Sequence, residues 1–463
     1  MKPIAVLGGG IAGLRAALTL ARGGKKVVLL EKSPRLGGRA DTFRDRTTGE
    51  EVDNGQHVIL GCCTTLLQFI EDIGASDELT WHEAYTFLEE GGARHTLRPT
   101  RMLPAPLHYL PSLLRFGALT VHDRRKLAFV LLRMMRTGAR RRHEAQAQPF
   151  ARWLDDAGAS SSLVRRFFDP ILVAAVNEEL NVAAAAPCFQ VFLEGFLPHR
   201  DAARLGVARR HHGALFANPA RRALEAADVD IRVNSRVVGW EAEGGRLVRV
   251  RLPSDETLEV EGAVCALPPK AAARLGGTCE AFAAPIPDFA YSPITDVQMW
   301  WDRPVTTLPF GALLESPVQW FFTKEVTEPK ARDLGARQRV RAVISASRDL
   351  TNLRHPAIIE LCRRELTRFF PEVADARLVH GLVVTERRAT ISVTPEWAAR
   401  RPGPNTKFDN LFLAGDWTDV GWPPTMEGAA RSGQRAANLL LGRPEKDGIV
   451  DLSPSLLARL LMR

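Results

Sequence analysis

Four consecutive apolar residues, Ile4-Ala5-Val6-Leu7, open the chain without polar alternation, the pattern of a short strand buried on both faces. Glycines follow at positions 8, 9, 10 and 13, and Leu14-Arg15-Ala16-Ala17-Leu18-Thr19-Leu20-Ala21 then reads as a helix. Val27-Val28-Leu29-Leu30 predicts a second strand ending at Glu31, and Leu411-Phe412-Leu413-Ala414 a late strand that runs into a Gly415-Asp416 turn. Another helix should start near Thr425. Residues 101–205 are mainly helical in pattern, whereas 281–405 mix strand-like runs such as 296–301 with a helix around 358–370. At 463 residues the chain exceeds one ordinary core but can bury two joined ones.

The order strand, G-x-G-x-x-G, helix is that of a dinucleotide site. Gly8 permits the tight turn, Gly10 lets the backbone approach a pyrophosphate at the helix N-terminus, and Gly13 lets helix and strand pack closely. Glu31 lies about twenty residues beyond, where a carboxylate accepts hydrogen bonds from ribose hydroxyls. The following Lys32-Ser33-Pro34-Arg35-Leu36-Gly37-Gly38-Arg39 adds a glycine turn between arginines that can reach the same pyrophosphate. A single fingerprint of this kind predicts no built-in nicotinamide site.

Composition narrows the class. The six cysteines have neither the density of a disulfide scaffold nor a C-x-x-C spacing for zinc or redox exchange, so no metal is expected and a reducing cytoplasm fits them. The N-terminus leaves no room for a signal-peptide apolar region, and no apolar run reaches the roughly 18 residues of a membrane span, so any membrane contact should be peripheral. The net charge of +9 has no nucleic-acid motif beside it, which argues against a nucleic-acid partner. Leu127, Val130, Leu131, Met134 and Met135 fall on one helical side amid Arg124, Arg125, Lys126, Arg133, Arg136 and Arg140 to Arg142. Such a stretch is either a core-facing helix with solvated arginines or one that lies on an anionic membrane. The tail, 444–463, with its apolar 456–462 stretch, is a second membrane candidate.

From Gly8 to Arg39 the sequence resembles the flavin amine oxidase and phytoene desaturase superfamily, in which an R-x-G-G-R segment follows the dinucleotide unit. The resemblance extends to 230–238, the hairpin turn at Gly244-Gly245, 263–269 and the late Gly415-Asp416 segment. It implies an α/β fold, a Rossmann-like FAD-binding domain at 1–100, 206–280 and 406–443 interleaved with a mixed α+β substrate domain at 101–205 and 281–405. The cofactor set it implies is Gly8, Gly10, Ile11, Ala12, Gly13, Glu31, Lys32, Arg35, Gly38, Arg39, Gly55, Gln56, His57, Val237, Gly415, Asp416, Pro424, Thr425, Met426 and Ala429. The free N–H groups of the helix near Thr425 would then face the flavin's pyrimidine carbonyls.

Asp53-Asn54-Gly55-Gln56-His57, 103–106, 169–177 and 421–427 look like one branch, the hydroxysqualene dehydroxylases. Two departures stand out: Glu178-Glu179-Leu180-Asn181 where proline is expected, and the unusually basic Arg209-Arg210-His211-His212. The branch implies removal of a hydroxyl group from an apolar isoprenoid, with hydride from reduced FAD, an external electron donor, and a cytoplasmic site that includes peripheral contact with the inner membrane face. Asp53 and His57 have the chemical types to deliver or orient a proton. Loop bracing by Asp53 and a backbone-bonded His57 is the competing structural reading. Trp320 and Trp422 offer π-faces to an electron-deficient intermediate, against ordinary core packing. A carotenoid-type desaturase or isomerase, running hydride the other way, is the alternative function.

Overall fold

The computed structural model describes residues 2–137, 144–276 and 286–462. Cys279 and Arg140 to Arg142 lie outside the described residues.

The opening apolar runs become the centre of a five-stranded parallel sheet. In spatial order its strands are Asp230–Arg232, Val27–Leu30, Ile4–Leu7, Gly262–Cys265 and Leu411–Leu413, every neighbouring pair parallel. Ile4–Leu7 and Val27–Leu30 are buried at every position, which is why they carry no polar alternation. Helices Ile11–Arg22 and Met426–Leu440 pack against one another beside this sheet. Gly239–Glu243 and Arg246–Arg251 form the hairpin, with Gly244 and Gly245 both at positive φ in its turn.

A second, seven-stranded sheet runs in the order Leu378–Ile391, Tyr291–Trp301, Gln338–Ser345, Trp320–Glu325, Phe310–Leu313, Tyr85–Leu88, Arg94–Leu97. Its last two strands come from the N-terminal stretch, because Tyr85–Leu88 pairs in parallel with Phe310–Leu313. The chain has therefore joined the second sheet before position 100, earlier than the boundary expected there. Helix His355–Phe369 covers this sheet through Ile358, Cys362, Leu366 and Phe369.

A helical layer completes the molecule, with short α-helices interrupted by π-helical turns at Val164–Phe168 and Val191–Phe196. Helix Val121–Arg136 starts at an N-cap, Thr120, and buries Leu127, Val130, Met134 and Met135 in the main core. The apolar stripe Leu127, Val130, Met134 and Met135 is thus a core face, the first of the two readings of this basic stretch. Its burial leaves the arginines on the solvent side.

Candidate flavin site and the polar cluster beside it

The cofactor groove begins where two glycine loops touch. The amide of Gly37 donates to the carbonyl of Gly9 at 2.8 Å, laying the arginine-flanked turn along the first loop. Gly38 sits at φ +63°, and a Cβ on it would meet the Gly10 Cα at 2.9 Å. A Cβ on Gly13 would lie 3.0 Å from the carbonyl carbon of Gly8, and closer to its oxygen. Only bare backbone fits at both places. Gly10 caps helix Ile11–Arg22 with no side-chain hydrogen bond, so the first-turn N–H groups at Ile11 and Ala12 are left for a ligand's phosphate. The loops form the cradle a dinucleotide needs.

Glu31 closes the far side. Its carboxylate accepts from the Gly9 amide and from the Ser33 amide, both at 2.7 Å, so it fixes the glycine loop and retains lone pairs for ribose hydroxyls. Lys32 follows it at the surface. Arg35 is forked onto Asp41 at 2.9 and 2.6 Å and is half exposed. Arg39 instead reaches the buried Asp416, at 2.5 Å, and this charge, set against burial, raises the Arg39 pKa. Val237 is half-buried against the main core, beyond the end of its strand at Arg232.

At the other end of the groove, Gly415 has φ +137° and donates its amide to the Ser432 hydroxyl at 2.7 Å. Thr425 is the N-cap of Met426–Leu440, accepting from the Gly428 amide, where a helix start was expected. Pro424 is buried, and Met426 and Ala429 pack against the core that holds the first helix. Glu427 had no assigned role. It is fully buried, accepts from the amides of Thr65 and Leu66 at 3.1 and 2.7 Å, and pairs with Arg431 at 2.6 Å. It thereby ties this helix to the start of helix Thr64–Asp72. The guanidinium of Arg431 also lies over the Trp422 ring, 4.5 Å from its centroid, and occupies one π-face.

The loop 53–57 leaves the groove and enters a buried polar cluster. Asn54 donates to the carbonyl of Arg39 at 2.9 Å, which sets the loop beside the Arg39–Asp416 pair. Asp296, on the long strand of the second sheet, accepts from the Gln56 amide at 2.9 Å and pairs with Arg341 at 2.7 Å. Gly55 follows Asn54 in the same turn. Asp53 accepts from the Thr42 hydroxyl and the His212 amide, both at 2.7 Å, and lies 3.4 Å from Arg341. Burial would raise the Asp53 carboxyl, but the charges of His212 and Arg341 and these hydrogen bonds outweigh it, holding the group well below the usual carboxylate range.

An ionised Asp53 fits the orienting half of its expected role, bracing the loop. His57 keeps its candidacy for delivering the proton: its Nδ1 is 3.2 Å from the Gly55 carbonyl, which leaves Nε2 for exchange. Burial lowers its pKa against the pull of Asp53. Its ring meets the His212 ring edge-to-face at 4.4 Å. His212 itself is buried, with its pKa lowered by burial to about 3. The basic run 209–212 was the sequence signal for it, and Arg341 and Asp296 carried none.

Trp320 is no open π-face. It is buried, donates its indole N–H to the Pro170 carbonyl at 2.7 Å, and sits among Tyr85, Phe87 and Phe310. Trp300 is likewise structural, donating to Glu50 at 2.9 Å. Among the described residues no cluster of histidine, cysteine and acidic side chains could hold a metal.

His212 and the fully buried His108, whose pKa burial lowers to about 4, make the fold acid-sensitive. Above pH 6.5 both are neutral, folded or unfolded, and contribute nothing. Below it the unfolded chain takes up protons that the fold refuses until pH 4 and pH 3. Stability should fall by about 1.4 kcal/mol per pH unit per histidine, or about 4 kcal/mol between pH 7.5 and 5. Urea unfolding across that range checks this, with His212→Asn expected to flatten the slope.

The chain matches the flavin containing amine oxidoreductase family over residues 11–441. It is 27% identical to a hydroxysqualene dehydroxylase of Sinorhizobium fredii over 95% of this chain and 98% of that one. It is 24% identical to a zeta-carotene desaturase of Zea mays, over 96% of this chain and 84% of the other. The fold superposes on an oxidoreductase from Methanosarcina mazei with a TM-score of 0.71 at 16% identity, covering 94% of this chain and 99% of that one. Among the described residues no helix is long and apolar enough to cross a membrane.

Proposed function

This chain belongs to the flavin-containing amine oxidoreductase family and is an FAD-dependent oxidoreductase, and we propose that its reaction is the reductive removal of the hydroxyl group of hydroxysqualene, giving squalene and water. The observation that carries this reading is the end-to-end likeness to proteins named for that reaction, together with the Asp53-to-His57 loop that the branch marks. Reduced FAD, when bound, supplies the hydride, and an external donor restores it between turnovers.

The chain's own task is to make hydroxide leave, which requires a proton at the oxygen as the carbon–oxygen bond breaks. His57 Nε2 is our candidate for that transfer, with Asp53 fixed as the charge that holds His212 and the loop in place. Glu31, Arg39, Thr425 and the glycine loops grip the cofactor. Aromatic side chains where the seven-stranded sheet meets the helical layer, Tyr85 and Trp320 from the sheet with Tyr109 and Phe196 from the helices, form a dry wall that excludes competing water. Trp422 adjoins the flavin segment, and the ring face away from Arg431 is our candidate contact for the apolar substrate. The substrate is insoluble, so the enzyme works in the cytoplasm against the inner face of the membrane.

Photoreduced enzyme mixed anaerobically with hydroxysqualene should yield squalene and oxidised flavin in one turnover. The second reading, a carotenoid-type desaturase or isomerase, draws on the likeness to the zeta-carotene desaturase. Its desaturase form requires instead that oxidised enzyme bleach on meeting a more saturated precursor. His57→Ala should lower turnover roughly a hundredfold or more while FAD stays bound. Wild-type turnover should rise as pH falls below 6.5, because the depressed pKa of His57 leaves it mostly unprotonated at neutrality. Unchanged turnover in His57→Ala removes this residue from the mechanism.

A further inference from the structure

We propose that one face of the helical layer, built from residues 102–129 and the C-terminal helix Leu456–Leu461, docks on an anionic lipid surface; this rests on the apolar-substrate reading for its purpose but not for its evidence.

Large apolar side chains exposed to water are not scattered evenly over this molecule. Thirteen are exposed among the described residues, and six of them come from 102–129 and two from 456–460. Single exposed leucines need no explanation, whereas a concentration of this kind does. The protruding tips are Met102, at 90% exposure, with Leu110, Leu114, Val121, Leu456 and Leu460.

These positions belong to one continuous surface. Arg124, near the start of helix Val121–Arg136, donates to the carbonyl of Leu114. The Ser455 hydroxyl, which caps the C-terminal helix, donates to the Ala105 carbonyl at 2.5 Å, and that helix packs on Val121–Arg136. Each element is apolar on two sides. In 107–114 Tyr109 points into the core while Leu110 and Leu114 face out, and in Leu456–Leu461 Ala458 is buried while Leu456 and Leu460 are exposed. A helix apolar on two opposite sides belongs in an environment that covers both.

Charge selects the cover. Between residues 98 and 137 the sequence holds eight lysines and arginines and one acid, Asp123. Asp123 is buried and committed to Thr120 and Ser160. A second copy of this chain, meeting the face about a twofold axis, would set those cations against themselves. A bilayer with anionic headgroups accepts both features, arginines at the phosphates and leucine tips at the acyl boundary. The inner side of the same segment is the dry wall: Tyr109 meets Phe196, and Phe196 meets Tyr85. A lipid-dissolved substrate would thus face the aromatic interior through a single layer of protein.

Flotation of the full-length holoprotein with vesicles tests this. Binding should be at least roughly tenfold tighter to vesicles of phosphatidylglycerol and phosphatidylcholine than to phosphatidylcholine alone, and should weaken in high salt. The double substitution Leu114→Asp and Leu456→Asp should reduce binding by roughly tenfold or more. FAD content, circular dichroism and turnover of detergent-dispersed substrate should be unchanged in it. The proposal is overturned if the wild type stays with the soluble fraction, or if the variant floats equally well. It is also overturned if the wild type is a dimer that the substitutions dissociate, since the face would then be a self-interface. Vesicle binding without squalene formation would sink the reaction assignment and leave the docking face standing.

Discussion

Replacing Gly433 with alanine should give a protein that accumulates but retains little FAD. A Cβ at this position would lie 3.0 Å from the carbonyl carbon of Ala12, and closer to its oxygen. Both are backbone atoms in the first turn of helix Ile11–Arg22, so no flexible side chain can yield and the two helices must move apart. Overpacking of this kind costs about 1–3 kcal/mol, and a backbone-to-backbone clash belongs at the upper end. The cofactor feels it twice, because Ala12 lies in the turn expected to meet its phosphates and Gly433 rides on the helix that begins at Met426. The flavin-to-protein absorbance ratio and the unfolding midpoint are the measurements. Gly403, whose Cβ position is open and whose φ is not in the left-handed region, supplies the control, and Gly403→Ala should bind flavin normally. Equal flavin content in the two variants would refute the argument.

Asp296→Ala should be the next most damaging change, at about 3–5 kcal/mol, because it strands the buried Arg341 guanidinium and leaves the Gln56 amide without its acceptor. Asp53 remains 3.4 Å from Arg341, too distant to replace a 2.7 Å partner. Urea midpoints measure the loss. Adding Arg341→Leu to Asp296→Ala should restore part of it, since deleting both charges removes the stranded ion. No recovery in the double variant would mean that the pair does not act as a unit.

The readable parts of this protein were the local ones. A buried strand, a glycine turn and a helix within twenty residues write their own pattern, so the groove and the cap at Thr425 could be anticipated residue by residue. The polar cluster could not be, because His212 is 159 positions from Asp53 and Arg341 is 288 from it. Nothing in the local pattern near position 341 distinguishes a buried arginine from a solvated one. The Val121–Arg136 stripe was legible only as two alternatives, for a different reason. Periodicity shows that a face is apolar, but a protein core and a lipid surface satisfy it equally. For Trp320 the strand was legible, whereas its hydrogen-bond partner Pro170, 150 positions away, was not.

The five-stranded sheet has a further consequence, for the order in which the polypeptide is made. Its middle strand, Ile4–Leu7, is made about 250 residues before its neighbour Gly262–Cys265 and about 400 before Leu411–Leu413. A nascent chain that has passed residue 265 but not yet reached 411 therefore has a sheet with a raw edge beside Gly262–Cys265, open to foreign strands. Coenzyme capture must wait for release of the last stretch, and premature termination anywhere before residue 411 would leave a product that chaperones and proteases, not vitamin supply, determine the fate of.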